Sequence, residues 1–223
     1  MDGKLLKEAL VKVSGGILLV GALLFVPAWS LRFWQGWLLM GVLFIPMLAA
    51  GFFMLAKCPE LLRKRLNAKE EQGEQRQVIA LSGLMFLIAF VVAGLNRRFD
   101  WLVLPKAVSW AAAAVFLLAY ALYAEVLREN AYLSRTIEVQ ENQTVVDTGL
   151  YGHVRHPMYL ATLLLFLAMP LILASPLSFA VMLLYIPLIV KRIRNEEQVL
   201  EQGLKGYSEY MTRVRWRLAP GIW

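Results

Sequence analysis

Polar side chains that could support chemistry are concentrated in two short segments of an otherwise apolar chain. Residues 143–159 hold both histidines of the protein and an Arg-His-Pro-x-Tyr run. Residues 192–210 begin with Arg192 and place Glu196 four positions later. This spacing puts the two side chains on one helix face, where the simplest interpretation is an ion pair contributing only tenths of a kcal/mol. Each segment on its own is equally typical of a wet juxtamembrane loop with snorkelling arginines.

The end of the first segment predicts a helix start at the membrane boundary. The Asp-Thr-Gly tripeptide at 147–149 has the composition of a turn, and Pro157 is favoured in a first helical turn. His156 and Tyr159 are then near neighbours at a water-facing helix mouth. The unpaired N–H groups of such a helix start suit a carboxylate or another polar ligand.

Several other chemistries have little support in the sequence. It contains no G-x-G-x-x-G or P-loop pattern and no G-x-S-x-G elbow. The single cysteine, Cys58, excludes an internal disulfide and a multi-cysteine metal site. His153 and His156 are spaced for a shared metal, but no carboxylate or thiolate lies close to them in sequence. No metal site is therefore predicted.

The composition indicates what kind of element must position these residues. Of 223 residues, 59% are hydrophobic and 17% are charged, whereas a soluble domain has about 45–50% and about 25%. This balance predicts one integral membrane domain. The formal net charge of +7 is then typical of basic loops at an anionic membrane surface rather than of nucleic-acid binding.

The apolar runs predict an all-α protein with about six transmembrane helices. Four runs are long enough to cross a ~30 Å hydrocarbon core, and they cover residues 13–31, 37–56, 78–95 and 101–127. Two further runs, 158–174 and 177–190, predict a C-terminal helical hairpin that turns at Ser175-Pro176. The second arm reaches only about 21 Å as a helix, so it crosses incompletely or continues into the following segment.

The basic residues predict the orientation of these helices. The loops alternate between the two sides of the membrane. The side that holds both termini carries 19 Lys and Arg residues, and the opposite side carries four. The positive-inside rule therefore predicts that both termini are cytoplasmic. Residues 59–66 have the spacing of an interfacial helix, although a solvated basic loop is an equal alternative.

The two polar segments together form a longer pattern. It reads Gly149-x-Tyr151-x-x-x-Arg155-His156-Pro157-x-Tyr159, then Arg192-x-x-x-Glu196-Glu197-x-x-Leu200, then Tyr207-x-x-Tyr210. This pattern resembles the isoprenylcysteine carboxyl methyltransferase family and its relatives, the phospholipid N-methyltransferases. The resemblance covers residue 143 to the C-terminus, about a third of the chain.

The resemblance implies S-adenosylmethionine as cofactor, held between the hairpin and the C-terminal helix. The implied catalytic residues are Arg192 and Glu196, with Arg192 binding the substrate. The implied cofactor positions are Gln143, Thr144, Val145, Val146, Tyr151, His156, Pro157, Met158, Tyr159 and Glu196. Residues 1–223 would form a single methyltransferase domain, with a four-span bundle at 1–127 and the cofactor loop, hairpin and C-terminal helix at 128–223.

Three functions stay open at this point. The first is methyl esterification of a prenylcysteine-like or other lipophilic carboxylate, and the second is N-methylation of a phospholipid or other amine. The amine reaction needs a base, which Glu196, Glu197 or His156 could supply. The third is a non-enzymatic membrane protein with a degenerate motif.

The first two functions share an expected location and the same partners. The substrate would enter from the bilayer and the cofactor from the cytoplasm. The site would therefore face the cytoplasm, in the cytoplasmic membrane of a bacterium or the endoplasmic reticulum of a eukaryote. The expected partners are the lipophilic substrate and membrane lipids, without nucleic acid, and no oligomeric state is predicted.

Overall fold

The apolar runs fold as helices. The computed structural model describes residues 3–67, 73–130, 132–133 and 139–223, and every regular element in those ranges is helical. The helices are α1 (Gly3–Ala28), α2 (Trp34–Lys57), α3 (Pro59–Asn67), α4 (Gly73–Phe99), α5 (Lys106–Glu129), α6 (Pro157–Ile172), α7 (Pro176–Met182), α8 (Tyr185–Gly203) and α9 (Tyr207–Arg213), with a 3₁₀ turn at Gly149–Gly152.

Five stretches of this helical structure are long and apolar enough to cross a membrane. They are α1, α2, residues 77–99 of α4, α5, and the combined stretch Pro176–Gly203 that contains α7 and α8. The shorter apolar helix α6 completes the set. The prediction of an all-α integral membrane protein with four spans and a C-terminal hairpin is therefore confirmed.

Two of the predicted span boundaries differ from the structure for local reasons. The first span ends at Ala28 rather than at residue 31, because Trp29 adopts a left-handed conformation at φ 50° that ends the helix. The fourth span begins at Lys106 rather than at residue 101. Pro105 precedes this helix, and a proline disfavours helical geometry in the residue before it.

Residues 59–66 are helical, as one of the two interpretations of this segment predicted. They lie within α3, whose Leu62 is buried together with Leu5 of α1 and Leu55 of α2. The Lys12 ammonium donates to the Leu66 carbonyl at the end of α3, at 2.5 Å. This short helix therefore packs across the ends of α1 and α2.

The core of the bundle lies between α1, α2, α4, α5 and α6. Leu24, Phe33, Phe116 and Ile172 are completely buried in one cluster. At Gly94 of α4, a Cβ atom would lie 2.7 Å from the Leu24 carbonyl oxygen. A small residue at a helix crossing allows close backbone approach, which is a common device of membrane helices.

The C-terminal hairpin turns where the sequence predicts, but its second arm is broken. Ala174 is left-handed at φ 55°, and the Ser175 hydroxyl caps α7 by accepting from the Ser178 N–H. The predicted arm 177–190 is two helices, because α7 ends at Met182 and α8 begins at Tyr185. Pro187 has no N–H to donate to the carbonyl four residues earlier, so the helix ladder is interrupted there.

Candidate active site

The first motif segment is held against the end of α5. The Glu129 carboxylate accepts a hydrogen bond from the Leu150 N–H at 2.9 Å, and Asn130 Nδ2 donates to the Tyr151 hydroxyl at 3.0 Å. Gly149 is left-handed at φ 53°, and a Cβ there would lie 1.7 Å from Glu129 Oε1. Only glycine therefore fits between the 3₁₀ turn and this carboxylate.

A buried ionic cluster joins the start of α6 to α8 and the C-terminal segment. Glu197 Oε1 accepts from Arg155 Nε at 2.8 Å and Nη2 at 2.7 Å, and His156 Nε2 lies 3.2 Å from the same oxygen. Glu197 Oε2 accepts from Arg217 Nε at 2.7 Å. Both carboxylate oxygens thus have charged partners, as a buried charge requires. We call these four residues the Glu197 cluster.

The C-terminal segment covers the start of α6. The backbone N–H groups of Arg155 and His156 donate to the Trp216 and Arg217 carbonyls, each at 2.9 Å. Arg155 Nη1 also donates to the Val214 carbonyl at 2.6 Å. The motif is therefore fixed in place by residues 60 positions later in the chain.

This cover corrects the expectation of a wet helix mouth at His156 and Tyr159. His156 is 5% exposed and Tyr159 is 4% exposed. The His156 N–H already donates to the Arg217 carbonyl, so it is not an unpaired donor awaiting a ligand. The expectation is wrong because the sequence pattern contains no sign that the C-terminal segment returns to this point.

Tyr159 of the first polar segment lies between Arg192 and Glu196 of the second. Its hydroxyl donates to Glu196 Oε2 and accepts from Arg192 Nε at 3.0 Å. Arg192 and Glu196 share one face of α8, as their spacing predicts, and both are partly buried. The tyrosine of the first motif thus connects the arginine and the glutamate of the second.

A cleft of about 820 Å³, partly open to solvent, lies over this chain of hydrogen bonds. The predicted residues that line it are Gln143, Thr144, Val145, Val146, Tyr151, His156, Met158, Tyr159, Arg192 and Glu196. Pro157, the remaining predicted position, is buried at the start of α6 and does not line the cleft.

Some lining residues carry no signal in the sequence analysis. Asn130, Tyr132, Leu133 and Leu204 line the same cleft, but none belongs to the motif pattern. The one available signal was the position of Asn130, a polar residue directly after the fourth span. Its amide then anchors the Tyr151 hydroxyl.

Tyr207 and Tyr210, to which the sequence pattern assigned no role, also line the cleft. The Tyr210 hydroxyl donates to the Tyr151 carbonyl at 2.8 Å, whereas the buried Tyr207 hydroxyl has no hydrogen-bond partner among the described residues. Burial raises the pKa of Tyr151 to about 12 and also raises the pKa of Tyr207 and of Tyr210. These rings therefore present neutral phenols at pH 7.

The hydrogen-bonded residues Tyr159, Arg192 and Glu196 lie within a segment that matches a known family. Residues 107–202 match the profile of the isoprenylcysteine carboxyl methyltransferase (ICMT) family. The match covers less than half of the chain, so it is a similarity to the ICMT family over this segment. The matched segment begins within α5, well before residue 143 where the sequence pattern begins, and it ends in α8 before the C-terminal segment.

Two individual proteins resemble the chain. A curated relative, the Delta(14)-sterol reductase TM7SF2 of Mus musculus, is 33% identical over 91 residues, which are 40% of this chain. The chain spans about a fifth of that relative, since the match covers 22% of its length. The solved structure of the eukaryotic intramembrane Ras methyltransferase ICMT superposes with a TM-score of 0.51 at 16% identity. That match covers 96% of this chain and 84% of the other, and it establishes the ICMT membrane fold.

Proposed function

We propose that the chain is an S-adenosylmethionine-dependent membrane methyltransferase that esterifies the carboxylate of a prenylcysteine-like or other lipophilic substrate. The observation that carries this proposal is the hydrogen-bonded series Arg192–Tyr159–Glu196 in the cleft. It places a guanidinium and a carboxylate side by side within the segment that matches the ICMT family.

The lining residues fit the proposed cofactor. S-adenosylmethionine, when bound, supplies an electrophilic methyl group on a positively charged sulfonium. Glu196 offers a negative charge to this cation or to the cofactor's ammonium group, and tyrosine faces attract cations. The buried Tyr207 hydroxyl, which lacks a partner among the described residues, is a donor that a bound polar ligand can satisfy. The segment 143–146 and Tyr151, His156 and Met158 complete the proposed cofactor wall.

Arg192 has the proposed role of orienting the acceptor carboxylate. A guanidinium presents a planar fork of donors that matches a carboxylate. With S-adenosylmethionine bound, transfer of its methyl group to the carboxylate oxygen would leave S-adenosylhomocysteine and would require no proton transfer. The protein therefore contributes orientation and exclusion of water, which suits a cleft whose floor is the buried Tyr159.

The Glu197 cluster favours a carboxylate acceptor over an amine. An ammonium substrate must lose a proton before it attacks, and the candidate bases are Glu196, Glu197 and His156. Glu197 accepts from two arginines, and His156 lies against the same carboxylate. Using either as a base would disrupt a buried ionic network, so only Glu196 is left for amine chemistry.

The sterol reductase match favours a second candidate, the reduction of a lipophilic alkene. Such a reaction needs a hydride donor, and nicotinamide nucleotides are the usual source. The chain has no G-x-G-x-x-G pattern, and the candidate place for such a nucleotide is the cleft over Tyr159. Both candidates therefore need a cofactor in this cleft. They differ in whether that cofactor is S-adenosylmethionine or a nicotinamide nucleotide.

The same proposal includes a membrane orientation. Both termini and the cleft face the cytoplasm, with the acceptor entering sideways from the bilayer. The 19-to-4 distribution of basic residues supports this orientation. The membrane is the cytoplasmic one in a bacterium or the endoplasmic reticulum in a eukaryote.

Isothermal titration of the purified protein with S-adenosylhomocysteine tests the proposal. We expect saturable binding that S-adenosylmethionine competes away and that reduced nicotinamide nucleotides leave unchanged. Transfer of a labelled methyl group to a farnesylated N-acetylcysteine should follow. Nucleotide binding without S-adenosylhomocysteine binding would favour the reductase candidate, and binding of neither ligand would contradict both enzymatic candidates.

A further inference from the structure

An apolar groove lies between α1 and α2, far along the chain from the cleft. The empty space in it, including its open side, is about 330 Å³, and its walls include Leu6, Leu10 and Val13 on α1 and Gly51 and Leu55 on α2. Leu62 of α3 closes one end. All residues that line this α1–α2 groove are apolar.

The dimensions of the groove suit a single hydrocarbon chain. From Met47 to Leu55, inside the predicted second span, the wall of α2 rises about 12 Å at 1.5 Å per residue. One leaflet of a ~30 Å hydrocarbon core is about 15 Å deep, so the groove extends over most of one leaflet.

The closed end of the groove is rich in positive charge. Lys7, Lys57 and Arg63 are exposed and lie within two residues of lining positions on α1, α2 and α3. Neither Lys7 nor Lys57 has an ion-pair partner among the described residues. Among the described residues, the acidic groups near these positions in sequence are Glu60, which is exposed, and Glu8, which is paired with Lys12 at 2.7 Å. This end therefore attracts an anion.

We propose that the α1–α2 groove binds one acyl chain of an anionic phospholipid, with its phosphate at the end marked by Lys7 and Lys57. A purely apolar wall selects a hydrocarbon chain by packing. Basic residues near a membrane surface each favour an anionic lipid by about 1 kcal/mol. The combination matches an amphiphile with one charged end, and it is independent of the chemistry in the cleft.

Native mass spectrometry of the purified full-length protein tests the proposal with two lipids of identical acyl chains. We expect phosphatidylglycerol to be retained at least about fivefold more strongly than phosphatidylcholine. Lys7→Gln and Lys57→Gln should each reduce that preference by up to about fivefold, the equivalent of about 1 kcal/mol. Equal retention of the two lipids by the unmodified protein would overturn the proposal.

A pair of glycine substitutions tests whether the groove itself is the site. Gly51→Leu adds a side chain to the groove wall, where a Cβ at Gly51 has nothing within 4 Å, and leucine is a better helix former than glycine. Gly83→Leu on α4 is the matched control, because Gly83 is exposed and equally open. We expect Gly51→Leu to lose phosphatidylglycerol while Gly83→Leu retains it, with both variants melting at or above the unmodified protein.

Three outcomes would contradict the groove as a lipid site. Equal lipid retention by the two leucine variants would place the lipid elsewhere. Competition by glycerol phosphate, which has no acyl chain, would indicate a phosphate site alone. A change in oligomeric mass caused by Gly51→Leu would indicate that a second protein chain, rather than a lipid, covers this surface.

Discussion

The hydroxyl of Tyr159 on α6 donates a hydrogen bond to the Glu196 carboxylate on α8. The same hydroxyl accepts from Arg192 Nε, so one phenol holds the relative positions of two side chains with different proposed tasks. In our proposal Glu196 holds the cofactor and Arg192 orients the acceptor. A small displacement between them would misalign the reacting groups, because proximity effects depend on near-contact geometry.

Tyr159→Phe should therefore slow methyl transfer while preserving the fold. The ring stays packed with Met182 and Tyr185 in its buried cluster, and only the hydrogen bonds to charged groups are lost. Such bonds contribute about 1.5–3 kcal/mol, which is about 10- to 100-fold in rate. Tyr185→Phe, in the same cluster, is the control. Equal turnover of the two variants in a methyl-transfer assay would show that the Tyr159 hydroxyl is dispensable.

Glu196 and Glu197 are adjacent in sequence, and we expect their substitutions to have opposite effects. Glu197→Gln leaves the buried Arg155 without its counter-charge, and breaking a buried pair in this way costs about 3–5 kcal/mol. Glu196→Gln should cost less than about 1 kcal/mol, since the amide can still accept from Tyr159, but it should weaken S-adenosylhomocysteine binding. Thermal unfolding and titration of both variants measure these effects. Equal melting temperatures would contradict a structural role for the Glu197 cluster.

The limits of prediction from sequence are clear at these residues. The lengths of the apolar runs predicted the helices, and Ser175 and Pro176 predicted the turn of the hairpin. Both predictions succeed because hydrophobic length and proline chemistry are local properties of the sequence. The family resemblance also implied ten of the residues that line the cleft, whereas Asn130, Tyr132, Leu133 and Leu204 carry no such signal. The burial of His156 depends on carbonyls at Trp216 and Arg217, and such long-range pairing has no periodic signal in sequence. The different environments of Glu196 and Glu197 arise in the same way.

Gly149→Ala should destabilise the 3₁₀ turn more than an alanine at another left-handed glycine. The left-handed conformation costs a non-glycine residue about 1–2 kcal/mol, and at Gly149 a Cβ would also overlap the Glu129 carboxylate. Gly221→Ala measures the cost of the left-handed conformation alone, since Gly221 has φ 81° and open space around it. Differential scanning calorimetry should give the larger loss for Gly149→Ala. A smaller or equal loss there would mean that Glu129 moves aside at little cost.

The predicted orientation can be measured with topology reporters. A reporter fused after Trp223 and another inserted within residues 68–72 should both report the cytoplasmic side, since these regions belong to the basic set of loops and termini. A reporter inserted at Ser30, in the connection between α1 and α2, is the control. It should report the opposite side of the membrane. A periplasmic or lumenal signal after Trp223 would contradict the orientation.

The most direct test of the central claim is methyl transfer to a farnesylated N-acetylcysteine by Arg192→Lys. Lysine keeps the charge and the snorkelling reach but cannot reproduce the planar guanidinium fork. We predict a turnover about 10- to 100-fold below that of the unmodified protein, with S-adenosylhomocysteine affinity almost unchanged. The exposed neighbour Arg194 provides the control, and Arg194→Lys should retain nearly full turnover. Full turnover by Arg192→Lys would show that Arg192 is only a membrane anchor, and it would contradict carboxylate esterification by this site.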